Sequence, residues 1–211
     1  MQERASADGG GRRRAGGAGT AARREASQVS ALGSASRTPS RKGVMNTGTT
    51  AERTGPDGVT DWSLRSAAQD DVEPIAELRA VVMRADLERL GRYDEVRVRQ
   101  RFRDAFSPGE TWVVEAEGAF AGCVTFRPAE YGRYLEHLYL APHVQGRGLG
   151  SAVLASLLRR SDAEGAVVRL IVLQGSAARR LYERHGFTVE SEDAVDVWMV
   201  RQPGAVRPPA A

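Results

Sequence analysis

The residues with most chemical promise are Val144-Gln145-Gly146-Arg147-Gly148-Leu149-Gly150. They follow an apolar, strand-like run from Tyr134 to Leu140 and open a segment with Leu149, Val153, Leu154, Leu157 and Leu158 at helical spacing. A strand, a glycine-rich turn and a helix start present successive backbone N–H groups at the positive end of a helix dipole, which is chemistry for gripping phosphate. Glycine lacks a Cβ, so a diphosphate can approach the main chain of this turn closely. The amides from Gln145 to Ser151 form the expected cradle. Arg147 reads either as a further phosphate partner or as a solvated arginine.

The elements that must position this turn are readable from hydrophobic periodicity. Trp62–Arg65 reads as a first strand. Asp70 or Asp71 caps a helix in which Val72, Ile75, Leu78 and Val82 keep helical spacing, with Pro74 in the tolerant first turn and Gly91 ending it. A second helix starts near Asp94 with Val98, Phe102 and Phe106 on one face. Its other face, Arg97, Arg99, Arg101 and Arg103, reads as solvated surface, and Ser107-Pro108-Gly109 stops it. Strands are expected at 112–116, 120–127 and 134–140, joined at Gly118 and over 128–132. Beyond the glycine turn and its helix, Val167–Leu173 is a continuous apolar run suited to burial on both faces. Ser176 caps a last helix with Ala178, Leu181, Tyr182 and His185 on one stripe, closed by Gly186. Strands 187–189 and 195–201 finish around a polar turn at 190–194.

This order, β-α-α-β-β-β-α-β-α-β-β, predicts an α/β fold of the mixed α+β kind. Short turns make the early strands antiparallel, whereas strand 134–140, helix 148–160 and strand 167–173 form a right-handed crossover with a central parallel pair. The sheet is expected to be twisted and mostly antiparallel, with helices on both faces.

Charge separates the chain into unlike parts. Residues 1–57 hold ten Lys/Arg against five Asp/Glu, set among Gly, Ala, Ser and Thr with no aromatic residue. From residue 58 onward 20 basic and 22 acidic residues remain, so the net charge of +3 belongs to the tail and no specific nucleic-acid partner is expected. Residues 1–57 cannot bury enough apolar surface to offset conformational entropy and are expected to be disordered. Interleaved glycines weaken a transit-peptide reading, and Arg12-Arg13-Arg14 lacks the apolar stretch that a twin-arginine signal needs. Met45, where composition turns ordinary, is an alternative start of translation, which a native peptide spanning Arg41 would refute. A domain is expected over 58–202, followed by a fraying tail, 203–211, with Pro203, Pro208 and Pro209. Cys123 is the sole cysteine, which excludes an intrachain disulfide and fits a reducing cytoplasm. No apolar run approaches the ~20 residues that cross a bilayer, so no membrane role is expected.

Gln145-Gly146-Arg147-Gly148-Leu149-Gly150 fits a Gln/Arg-x-x-Gly-x-Gly/Ala phosphate signature, and Leu138-Tyr139-Leu140-Ala141-Pro142 leads into it. Further on, Ala178-Arg179-Arg180-Leu181-Tyr182-Glu183-Arg184-His185-Gly186-Phe187 is similar to an A-x-x-L-Y-E-x-x-G-F signature. On these two motifs in this order, the chain from about 59 to 201 resembles the GCN5-related N-acetyltransferase (GNAT) family, whose members move an acetyl group from acetyl-CoA to an amine.

The resemblance implies the GNAT acyl-CoA N-acyltransferase fold and assigns roles to residues. Gln145, Gly146, Arg147, Gly148, Leu149, Gly150 and Ser151 would hold the CoA diphosphate. Leu138, Tyr139 and Leu140 match the strand whose backbone lies along pantetheine, in a gap where the fourth and fifth strands splay. A donor N–H near Leu140 would stabilise the oxyanion there. Tyr182 matches the general acid for the departing thiolate, a task suited to a phenol with pKa near ~10; packing with Leu181 is its plain structural alternative. The base matches Glu136 or Tyr134, nine and eleven positions before the phosphate motif and facing the same way unless a bulge intervenes. For Glu136, burial would raise the pKa to a useful value, and the competing reading is a structural salt bridge to a neighbouring arginine. His137 is expected on the opposite face as a satisfied histidine, and His143 exposed in the loop. Many family members carry Asn just before the last helix. Here Gly175 and Ser176 stand instead, leaving Ser176 as a cofactor contact or only a helix cap.

The reading is therefore an N-acetyltransferase that uses acetyl-CoA, without a metal, on a primary amine of a small molecule or peptide through a direct ternary complex. Cys123 has no activating neighbour in sequence for a covalent intermediate. Arg84, Tyr93, Tyr131, Asp193, Asp196 and Trp198 are expected around the acceptor, where acidic side chains suit a cationic amine. The competing class is a non-catalytic acyl-CoA-binding regulatory module. The final hairpin is a candidate surface for a homodimer.

Overall fold

The computed structural model describes residues 61–205. The segment 1–57, Met45 and residues 206–211 lie outside the described residues. Seven strands form one sheet in the order β1-β2-β3-β4-β5-β7-β6. They are β1 (Trp62–Ser66), β2 (Thr111–Ala116), β3 (Ala119–Ala129), β4 (Gly132–Leu140), β5 (Val168–Leu173), β6 (Thr188–Glu192) and β7 (Asp196–Arg201). Only β4 and β5 run parallel; the other neighbours are antiparallel. Helices α1 (Val72–Arg89), α2 (Glu95–Ala105), α3 (Leu149–Ala163) and α4 (Ala178–Arg184) complete the fold, so element order and sheet class are as expected.

Local chemistry sets the helix limits. Asp94 caps α2 by accepting the Arg97 N–H at 2.7 Å, and Gly91 takes φ +65° just beyond α1, where a side chain would be strained. The arginine face of α2 is not simply solvated. Arg99 reaches Glu77 at 2.7 Å and Arg103 reaches Glu73 at 2.8 Å, tying α2 to α1. Sequence periodicity cannot reveal these pairs because their partners lie on another helix.

Two further expectations change. Strand β5 is buried on one face only: Leu170 and Val172 are buried, whereas Ile171 is 39% exposed. Its apolar run misleads because the first two helices leave that part of the sheet uncovered. The last turn is shorter than expected, since Asp193 accepts the N–H groups of Val195 and Asp196, both at 2.8 Å, and strand pairing resumes at once.

The domain also continues past residue 202. Arg201, its side chain 6% exposed, holds Asp162 of α3 at 2.6 Å and the carbonyl of His185, the residue just past α4, at 2.9 Å. It also donates to the Ala205 carbonyl at 3.0 Å, and Asp162 accepts the Gly204 N–H at 2.7 Å, so 203–205 belong to the fold.

The core sits on both sides of the central strands. On one face Phe102 of α2 packs edge-on against His137, and the Arg79 guanidinium of α1 donates to the Tyr139 hydroxyl at 2.9 Å. On the other, Leu149, Val153, Leu154, Leu157 and Leu158 bury the apolar stripe of α3. Among the described residues no helix is long and apolar enough to cross a membrane.

Candidate active site

The glycine turn forms at the exit of β4. Pro142–Val144 makes one tight helical turn, Gly146 and Gly148 take φ +74° and +82°, and α3 starts at Leu149. These positive angles suit glycine and re-aim the backbone into the helix. From Gly146 through Ser151 the N–H groups have no hydrogen-bond acceptor among the described residues. A run of unpaired donors at the positive end of a fifteen-residue helix suits a diphosphate. The Gln145 side chain turns back and donates to the Leu140 carbonyl at 2.8 Å. Arg147 makes only a loose pair with Glu117, 3.6 Å apart, and keeps 43% exposure.

Beside this turn the sheet opens. Strands β4 and β5 pair at Arg133, Tyr134 and Leu135, opposite Val168, Arg169 and Leu170, and pairing stops there although both strands continue. A bulge on β4 accompanies the opening: Thr125 faces Glu136 while Cys123 faces Tyr139, so β4 carries an extra residue, and His137 takes φ +53°. Beyond the bulge the Ala141 N–H bonds to Ala121 at 2.8 Å. Alternation therefore turns the N–H and C=O of Tyr139 towards β3 and those of Leu138 and Leu140 into the opening. Of the three strand residues expected along pantetheine, Leu138 and Leu140 offer main-chain groups, and Tyr139 offers none.

Tyr182 of α4 is buried, packs edge-on against Phe187, and its hydroxyl has no hydrogen-bond partner among the described residues. Burial, and secondarily the neighbouring Tyr139, push its pKa above the ordinary phenol value. The adjacent Leu181 and Leu140 both approach Gly150, where an added Cβ would lie 3.4 Å from each. Strand β4, the glycine turn and α4 thus converge at one place.

Glu136 is half-buried and bound in bidentate fashion by Arg127, at 2.8 and 3.2 Å. The structural salt bridge expected as one alternative is present. Arg127, which also lies over the Tyr134 ring, was not singled out from sequence; its position two residues past Thr125 on the facing strand is the signal that register would have supplied. The two readings of Glu136 are compatible, because a carboxylate has about four lone-pair sites and Arg127 occupies two.

His137 does not point away from Glu136. The bulge brings it to the same face, with Nδ1 3.2 Å from the Thr125 hydroxyl and its ring against Phe102 and Tyr139. Burial pushes its pKa down to about 4, with Arg79 and Arg127 acting the same way against Glu136. It is neutral near pH 7. Cys123 is buried, its thiol donates to the His137 carbonyl at 3.2 Å, and burial raises its pKa, so it is no nucleophile.

The remaining expected residues divide. Ser176 serves the start of α4, accepting the Ala178 N–H at 3.4 Å. Arg84 lies over the Tyr93 ring at 5.0 Å and pairs with Glu88 at 2.7 Å. Tyr131 is 66% exposed at the β3–β4 turn. Asp196 and Trp198 stand on β7 next to β5, and Asp193 shapes the turn before them. Among the described residues no cluster of His, Cys, Asp and Glu is arranged to hold a metal ion.

Comparison with known proteins agrees with this geometry. A family model described as an acetyltransferase (GNAT) domain matches residues 107–189. No curated protein matches the chain. Among solved structures, a PaiA N-acetyltransferase from Thermoplasma acidophilum in complex with coenzyme A is 20% identical, with a TM-score of 0.56 over 68% of this chain and 99% of that one. PH1933 from Pyrococcus horikoshii is 18% identical, with a TM-score of 0.54 over 67% and 98%. The ribosomal-protein-S18-alanine N-acetyltransferase from Escherichia coli is 17% identical, with a TM-score of 0.51 over 71% and 99%. At these identities the likeness is one of fold.

Proposed function

We propose that this chain, whose residues 107–189 match an acetyltransferase (GNAT) domain model, moves the acetyl group of acetyl-CoA to a primary amine of a small molecule or peptide in a direct ternary complex. The N–H groups from Gly146 to Ser151 take the diphosphate, Arg147 adds charge at the rim, and the thioester arm lies along Leu138 and Leu140 in the opening. Ser176 borders the pantetheine at the start of α4.

The acceptor nitrogen attacks the thioester carbonyl carbon. Glu136, held still by Arg127, collects the proton of the attacking amine directly or through one water, using the lone pairs that Arg127 leaves free. The Leu140 N–H meets the developing oxyanion. The carbon–sulfur bond then breaks, and Tyr182 gives its proton to the thiolate. A phenol whose pKa burial has raised remains protonated for that step. No covalent enzyme intermediate forms, consistent with the buried thiol of Cys123.

The observation that carries this reading is the end of β4–β5 pairing at Leu135 and Leu170 directly beside the unpaired amides of the glycine turn. Calorimetry with acetyl-CoA and thiol release over a panel of amines test it. Binding with turnover of at least one amine is expected, and Glu136→Gln is expected to lower kcat by about 10²–10⁴ with little change in acetyl-CoA affinity. Normal acetyl-CoA binding with no turnover on any acceptor would favour a non-catalytic acyl-CoA-binding module instead. Unchanged turnover in Glu136→Gln would remove Glu136 from the mechanism.

A further inference from the structure

Strand β4 pairs with β5 only as far as Leu135, so Glu136 and His137 are its first residues without a strand neighbour on that side. The bulge sets both side chains on one face, and both are half-buried. His137 holds its place at φ +53°. Glycine would adopt that conformation at less cost, so the backbone alone gives no reason for a histidine there. Its side chain has a use of its own.

The hydrogen bonds around the ring fix where its proton sits. Thr111 Oγ1 lies 3.1 Å from Thr125 Oγ1, which lies 3.2 Å from His137 Nδ1. Both threonines are buried, at 1% and 3% exposure. If Nδ1 carried the proton and donated to Thr125, Thr125 would have to donate to Thr111. The Thr111 O–H would then be buried without an acceptor among the described residues, a costly arrangement. In the reverse order Thr111 donates to Thr125, Thr125 donates to Nδ1, and every hydroxyl proton is used. The neutral ring therefore carries its proton on Nε2. Nε2 has no hydrogen-bond partner among the described residues, and unlike the indole nitrogens of Trp62 and Trp112 it is not sealed from solvent.

The start of the opening thus offers a carboxylate and a fixed N–H donor from consecutive residues. An amine suits the first, and the second calls for an oxygen on the same molecule. Consecutive Cα atoms are about 3.8 Å apart, so the nitrogen and the oxygen belong close together in the acceptor. A neutral imidazole supplies a hydrogen bond but no charge, which suits an amide carbonyl better than a carboxylate. Building on the acetyl transfer proposed above, we propose that His137 is a specificity-determining residue: its Nε2–H donates to the carbonyl oxygen of an α-aminoacyl amide whose α-amine, at Glu136, is the one acetylated. This is the unit that begins a peptide chain.

Two measurements test it. Nitrogen NMR of the full chain with labelled histidine, the His137 signals assigned by their loss in His137→Gln, should show a protonated Nε2 and a bare Nδ1 near pH 7. The opposite tautomer overturns the proposal. The second measurement is the ratio of kcat/KM for L-alaninamide to that for (S)-2-aminobutane, which has nearly the same shape but no carbonyl. The two amines differ in basicity, so the readout is the change of this ratio between proteins, in which basicity cancels. His137→Asn, which keeps an acceptor for Thr125 but loses the distal donor, is expected to lower the ratio about tenfold, mainly through KM. His137→Gln, whose amide nitrogen stands in for Nε2, is expected to keep it within about threefold. Thr125→Val lacks the hydroxyl that fixes the ring and should lower the ratio too, which keeps the test open if His137→Asn fails to fold. An unchanged ratio in both, or an equal fall on both acceptors, overturns the proposal while leaving acetyl transfer intact. If CoA binds but no amine reacts, transfer itself fails, and calorimetry of L-alaninamide on the CoA-loaded protein decides the site. Saturable binding weakened in His137→Asn supports it, and absence of binding overturns it.

Discussion

Gly122 of β3 is expected to be intolerant of even one methyl group, with consequences for both stability and turnover. It faces Leu140 in the narrow, non-hydrogen-bonded pairing of an antiparallel ladder. A Cβ built there lies 2.2 Å from the Tyr139 carbonyl oxygen, 2.9 Å from Leu140 Cδ2 and 3.1 Å from Leu140 Cα. Restoring an ordinary contact requires β3 and β4 to separate by about 1 Å, and two of the three obstacles are backbone, which cannot rotate aside. Overpacking of this kind costs about 1–3 kcal/mol, a fall in Tm of about 2–10 °C for a domain of this size. The displaced atoms are those that aim the Leu140 N–H into the opening, and a misplacement of about 1 Å costs on the order of 10² in rate. Thermal unfolding by circular dichroism, with kcat at saturating acetyl-CoA, measures both for Gly122→Ala. Gly109→Ala is the control, since a Cβ there meets nothing within 4 Å. A Gly122→Ala protein with Tm within about 1 °C of the parent and an unchanged kcat would refute the reasoning.

Tyr182→Phe is expected to lower kcat by about 10²–10⁴ and leave CoA affinity unchanged in calorimetry; because burial raises this phenol, the parent should keep its kcat up to pH ~10, and an earlier alkaline loss would exclude the role. His137, about 4 in the fold against ~6.5 unfolded, takes up its proton earlier in the unfolded chain, so its share of stability is complete above about pH 6.5 and declines as pH falls towards 4, by about 3 kcal/mol at most. Urea titrations at pH 7 and 4.5 should show this loss in the parent and a smaller one in His137→Asn. The Asp162 carboxyl is lowered first by its hydrogen bond to Arg201, so its contribution is present above about pH 4 and is lost as pH falls through the lowered folded value. Asp162→Ala strands a guanidinium that is 6% exposed, and about 1–3 kcal/mol should disappear from the unfolding free energy after allowance for the partial exposure of Asp162.

Periodicity and punctuation made the element order and the parallel crossover legible, because glycines at 91, 118, 146, 148 and 186 stand where the backbone needs positive φ. The glycine turn at the exit of β4 was legible for the same reason: main-chain geometry leaves a mark in glycine spacing. Side-chain partnerships across elements left none. Arg127 with Glu136, Arg99 with Glu77 and Arg201 with Asp162 each join residues from separate segments, and only the fold decides which charges meet. The bulge at His137 was illegible as well. No glycine marks it, and it overturned the alternation that had set His137 and Glu136 on opposite faces. Likewise β5 looked doubly buried because an apolar run records only that its residues are apolar, not what covers Ile171.

The side-chain amide of Gln145 ties the glycine turn to the Leu140 carbonyl at the end of β4, so in the proposed function the nucleotide end of the cleft is coupled to its reacting end. Clamping of the donor's anionic end should therefore be felt, without any travelling loop, as a stiffening of the strand that aligns the carbonyl under attack. Donors shortened on the nucleotide side would then lose catalytic rate as well as grip.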